Sequence, residues 1–196
     1  MYGRSVDYPA RRQQNSMLMN KSRGRRPGLS DTRSEILVAA RSAFAECGYR
    51  GATLRRIARD AGVDIRLIAH HFGNKRGLFR EAMTLPISPS DALDRALSGP
   101  RESWAAGILT AALAAWDSPD SGRPLRRLLA EAVSDGDQGR ALSEFLEREL
   151  IDPLAQRLEG PQQRRRATAA VTVVAGMILQ RYALGTAPMK DLSRGR

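Results

Sequence analysis

The sequence predicts an all-α protein: an N-terminal three-helix helix-turn-helix domain followed by a second helical domain. Three observations carry this. From Leu29 onward, apolar residues recur at three- and four-residue spacing, with no sustained period-two alternation and no fixed repeat. Gly and Pro stand between those stretches, and Ser, Thr, Asp or Asn precede several of them. Between Thr53 and Phe72 lie two short periodic segments joined by a Gly turn, the spacing of a helix-turn-helix.

Residues 1–29 read as a disordered basic arm, with seven Lys or Arg against one acid, Asp7, and few core-forming residues. Met17 and Met19 are candidate alternative starts. The first helix begins at Ser30 or Asp31, both good N-caps, and runs to Cys47, where Gly48 stops it. Ile36, Ala40, Ala43, Phe44 and Cys47 form its apolar face. Thr53 caps a second helix with a stripe of Leu54, Ile57, Ala58 and Ala61, ended by Gly62. Asp64 caps a third, Ile65 to His71. Asn74 caps a fourth that reaches Leu85, before Pro86 and Pro89. The N-terminal domain therefore spans 30–84 and the second domain 85–196.

In the second domain, Ser90–Ser98 reads as a short helix and Glu102–Trp116 as one rich in Ala, Leu and Trp. The Ser118–Gly122 cluster is a turn. Pro124–Ser134 is a further helix, Arg140–Leu158 a long one bent at Pro153. Pro161, at the first helical position, opens a last helix running to Leu184.

Charge separates the two halves. Of a net +11, residues 1–84 carry 17 Lys or Arg against 7 acids, whereas residues 85–196 carry 15 against 14. A polycationic first half calls for a polyanion. Nucleic acid is the commonest, because each phosphate neutralised releases condensed counterions. The alternative is a basic solvated surface. The single cysteine, Cys47, excludes an internal disulfide and fits a reducing, cytoplasmic compartment. The longest mostly apolar uncharged run, Ala167–Gln180, is too short to span a bilayer, and the Arg-rich start lacks the apolar segment of a secretory signal. No membrane partner is expected.

Rotation of about 100° per residue places Arg66 and His70 on one side of the third helix when Ile68 is buried. A short helix offering that face fits the major groove. Arg66 is the candidate base contact, since a guanidinium bonds guanine in two places. His70 reaches a base or a phosphate. Thr53 holds a phosphate at a helix N-terminus, and Arg55 and Lys75 are phosphate candidates. Arg23, Arg25 and Arg26, just before the first helix, form an extended stretch suited to a narrow minor groove. The competing reading makes that stretch a solvated tail.

Residues 30–84 resemble the DNA-binding domain of the TetR family of bacterial transcriptional repressors. The resemblance is carried by Ile36-Leu37, Ala43-Phe44, Gly48-Tyr49, Thr53, Ile57-Ala58, Ala61-Gly62-Val63, His71-Phe72, Asn74-Lys75 and Leu78-Phe79. It implies an all-helical homodimer with a second, ligand-binding domain, and repression at a palindromic operator released by a small molecule. Two positions depart from the pattern. Ala69 stands where the family often has a Tyr or His touching the DNA backbone. Arg76 stands where an acidic residue commonly follows the lysine, and is a candidate replacement contact.

A dimer is also expected mechanically, since two helix-turn-helix units on a two-fold axis read two half-sites. The last helix, apolar nearly all round, suits burial on two sides. Val171, Val174 and Ile178, with Leu146 and Leu150 from the preceding helix, are the expected dimer interface; a core helix in a monomer is the alternative. Trp104, Ile108 and Trp116 share one helix and are candidates to line a pocket for an unknown small-molecule effector. No phosphate-binding Gly loop, paired metal-ligand motif or nucleophile elbow occurs, so no cofactor, metal site or catalytic residue is expected. The remaining alternatives are a non-specific architectural DNA-binding protein and a basic membrane-surface or protein-interaction module.

Overall fold

A computed structural model describes residues 29–185. The arm bearing Arg23, Arg25 and Arg26 lies outside them. Among the described residues every regular element is helical. In order they are α1 (Leu29–Gly51), α2 (Leu54–Asp60), α3 (Ile65–Phe72), α4 (Lys75–Ala82), α5 (Pro89–Ala96), α6 (Trp104–Asp117), α7 (Gly122–Ser134), α8 (Gly136–Leu146), α9 (Asp152–Arg157) and α10 (Gln163–Ile178). A 3-10 turn, Arg101–Ser103, precedes α6, and π-helical turns Glu147–Ile151 and Leu179–Leu184 follow α8 and α10.

Local chemistry sets the first boundaries. Gly48 breaks α1 with φ +70°, ψ 176°, a region open to glycine and few others. α4 stops at Ala82, three residues short of the expected Leu85. The long helix expected over Arg140–Leu158 begins earlier, at Gly136, under an Asp135 cap that accepts from the Asp137 and Gln138 N–H groups. Its irregularity lies ahead of Pro153, not at it: the π turn widens the helix where the proline ring crowds the preceding turn and supplies no N–H. α10 starts at Gln163, and Pro161 lies in the turn before it.

The core does not divide at residue 84. Ile36, Phe44, Ile57, Ile68, Leu78 and Phe79 share one buried cluster with Leu125 and Leu128 of α7 and Phe145 of α8. Phe145 stacks on Phe79 at 4.4 Å between ring centroids and meets Tyr49 edge-on at 5.1 Å. Polar contacts reinforce the seam. The Glu144 carboxylate accepts the Arg50 N–H at 2.7 Å, and the Arg140 guanidinium donates to the Ala45 and Glu46 carbonyls at the end of α1. A second, smaller cluster joins Leu93, Leu97, Ile151, Leu154 and Ala167.

Candidate nucleic-acid interface

α2 and α3 are held by caps that their own sequence supplies. The Thr53 hydroxyl accepts the Arg56 N–H at 3.2 Å, and the Asp64 carboxylate accepts the Arg66 N–H at 2.7 Å. Between the helices, Gly62 takes φ +67°. Ile57, Ala58, Ile68 and Phe72 are buried, which fixes the rotation of α3 about its axis. Arg66, Ala69 and His70 are left exposed. Removing the first cap, Thr53→Ala, is expected to lower the unfolding free energy by about 1 kcal/mol in urea titration.

Charge pairing sorts the basic residues. The Arg66 and Arg55 guanidinium groups make no hydrogen bond or ion pair to any described residue, and both are exposed. Arg56 is consumed internally: it pairs with Glu46 and with Asp60, and donates to the Cys47 sulfur. The two carboxylates hold its pKa above the usual arginine value, and the Ser42 and Arg56 hydrogen bonds hold Glu46 below the usual carboxylate value. Arg59 pairs with its neighbour Asp60 at 3.0 Å.

Two residues expected at phosphates turn toward the body of the protein. The Lys75 ammonium donates to the Arg50 carbonyl at 3.3 Å and sits 4.8 Å from the centre of the Tyr49 ring. Burial, then the charge of Arg148, lowers its pKa. The Arg76 guanidinium donates to the Ser90 hydroxyl at 3.2 Å and lies 3.5 Å from the buried Glu149 carboxylate. Nothing in the first half announces that partner, because Glu149 is 73 positions away. His70 and His71 meet edge-on at 5.1 Å. Adjacent on one helix, they point to different sides, and no cluster of three metal-ligating side chains occurs among the described residues.

The second half holds a cavity of about 270 Å³ among α5, α6, α7, α8 and α10. Ile108 and Trp116 line it. Trp104 does not: twelve residues along the helix turns it about 120° from Trp116, and it packs on the smaller cluster, its indole N–H donating to the Gly99 carbonyl at 3.0 Å. The residues expected at a dimer interface border the same cavity and are half-buried. Leu146, Leu150, Val171, Val174 and Ile178 all line this cavity. The outer side of α10 carries instead Ala169, Val173 at 72% exposure and, in the π turn, Leu179 and Leu184. Periodicity could not choose between sides of a helix that is apolar on both. The wall formed by α8, the π turn after it and α9 did have a sequence signal, leucines every fourth residue at 142, 146, 150 and 154.

Two family profiles match the chain. Residues 36–82 match the bacterial regulatory proteins of the tetR family, and residues 102–196 match the tetracyclin repressor-like C-terminal domain. The HTH-type transcriptional repressor AcnR of Corynebacterium glutamicum is 46% identical over 61 residues, 31% of this chain and 31% of that protein. The HTH-type transcriptional regulator BetI 2 of Chromohalobacter salexigens is 43% identical over 51 residues, 26% of this chain and 25% of that protein. The matched segment thus spans about a third or less of these curated relatives. A solved TetR-family regulator from Streptomyces coelicolor A3 shares 33% identity over 86% of this chain and 88% of its own, with a TM-score of 0.49.

Proposed function

The chain belongs to the TetR family of bacterial regulatory proteins, and from that premise we propose that it is a sequence-specific DNA-binding transcriptional regulator. It acts in the cytoplasm as a homodimeric repressor that occupies a palindromic operator and leaves it when a small molecule binds. The observation that carries this reading is the exposed face of α3, where Arg66 stands with its guanidinium unengaged by any described residue. Thr53 and Arg55 lie at the start of α2, where backbone N–H groups and a free guanidinium suit phosphates. His70 extends the same face.

Selection of duplexes from a random pool, followed by gel shift at physiological salt, tests the reading. A palindromic consensus is expected; no sequence preference would sink it and leave the architectural alternative. Arg66→Ala is expected to weaken specific binding by about 1–3 kcal/mol while leaving non-specific affinity nearly unchanged. Equal loss on both would make Arg66 a phosphate contact.

The dimer partner belongs on the outer face of α10. An apolar side as open as that of Val173 is what a second copy would cover. Val173→Arg is expected to shift the protein from dimer to monomer in sedimentation and to abolish cooperative operator occupancy. The segment Gln163–Leu184 is also long and apolar enough to cross a membrane by length and composition, and it is largely exposed. Arg164, Arg165, Arg166 and Arg181 on it make a bilayer a costly environment. Stronger binding to anionic vesicles than to duplex DNA would favour a membrane-surface role.

A further inference from the structure

The chemistry of the effector can be read from the walls of its cavity, given the proposal that the second half senses a ligand. Every lining residue is Ala, Val, Leu, Ile or Pro, with one Trp. The indole N–H of Trp116 is the only side-chain N–H or O–H among them. The surrounding elements carry charges too, but none is among the lining residues, and three of the acids have partners elsewhere. Asp94 pairs with Arg157 at 2.7 Å, Glu149 with Arg76 at 3.5 Å, and Asp117 accepts the Tyr182 hydroxyl at 2.8 Å. The cavity opens to solvent beside Ala170 and Ala175 of α10; an ion seated against its apolar walls would still give up part of its hydration and find no counter-charge among the lining residues. A neutral hydrocarbon meets no such cost. Size points the same way: an apolar cavity of about 150 Å³ takes up benzene, and this one, at about 270 Å³, has room for a second fused ring.

We propose that this cavity binds a neutral, compact hydrocarbon-like molecule of one or two rings, with no charged group and at most one hydrogen-bonding group, placed against Trp116. The ring of Trp116 offers one flat wall, and the Tyr182 ring stacked on it at 5.3 Å holds that wall in place from outside. Such ligands are recognised by shape and by displacement from water, so closely related hydrocarbons compete for the same space.

The test uses the full-length chain and three probes sharing one skeleton: naphthalene, naphthoate and naphthylmethylammonium. Naphthalene is expected to raise the melting temperature and change tryptophan emission saturably. The two ions are expected to bind at least ~100-fold more weakly. The emission change disappears in Trp116→Phe, because Trp104 stands outside the cavity. Ala112→Leu and Ala175→Leu fill the space from two different walls, α6 and α10. Each is expected to lower naphthalene affinity at least tenfold while the protein stays folded. If one variant fails to fold, the other decides. Binding of an ion as tight as that of naphthalene, no binding by naphthalene, or binding unchanged in the filled variants would overturn the proposal. None of these measurements involves DNA. A chain that takes up naphthalene but selects no operator therefore keeps this inference and loses the regulatory one, and the reverse outcome separates them equally.

Discussion

Phe145→Ala is expected to lower the unfolding free energy by about 3–5 kcal/mol and to weaken operator binding without removing any DNA-facing group. Phe145 is fully buried, in contact with both Phe79 of α4 and Tyr49 at the end of α1. Its loss opens a cavity at the seam between the two halves, where neighbours from three helices must relax at once. The loss is a large share of the stability of an ordinary domain. Urea denaturation followed by far-ultraviolet circular dichroism gives the number. Phe145→Leu, which refills much of the volume, should recover most of it. A cost under about 1 kcal/mol would mean that the halves are stable independently, contrary to the shared core.

Gly48→Ala is expected to cost about 2.5–6 kcal/mol, from two sources. With φ +70° and ψ 176°, Gly48 occupies backbone space in which a side chain is strained by about 1–3 kcal/mol. A Cβ at this position would also lie 2.6 Å from both oxygens of the Glu144 carboxylate. That carboxylate must then move off the Arg50 N–H, a charge-assisted bond worth about 1.5–3 kcal/mol. Denaturation of Gly48→Ala in a Glu144→Ala background separates the two. The clash is gone there and the strain remains, so a residual cost of about 1–3 kcal/mol is expected. No residual cost would remove the backbone half of the argument.

The features legible in the sequence are those fixed within a few residues. Thr53, Asp64 and Asn74 cap their helices as their side-chain oxygens dictate, because a cap bond closes over two or three positions. Gly48 and Gly62 end helices for the same local reason. The rotation of α3 followed from one buried residue, Ile68. What was not legible depends on partners far along the chain. Lys75 and Arg76 sit at a helix N-terminus that suits a phosphate, yet Tyr49, Glu149 and Ser90 draw them inward. Pro161 suits a first helical position, but Gln162 takes a left-handed conformation and delays the last helix to Gln163. Trp104 and Trp116 looked like a pair by composition. Helical geometry sends them to different neighbours.

The continuous aromatic packing from Phe44 through Phe79 to Phe145 has a consequence for anyone recombining such proteins. A reading head cut at residue 84 and grafted onto a foreign sensor would arrive with an oily socket and no plug. To work as an interchangeable part it must travel with the stretch from Gly136 to Glu147, or the recipient must offer its own aromatic ring at that spot.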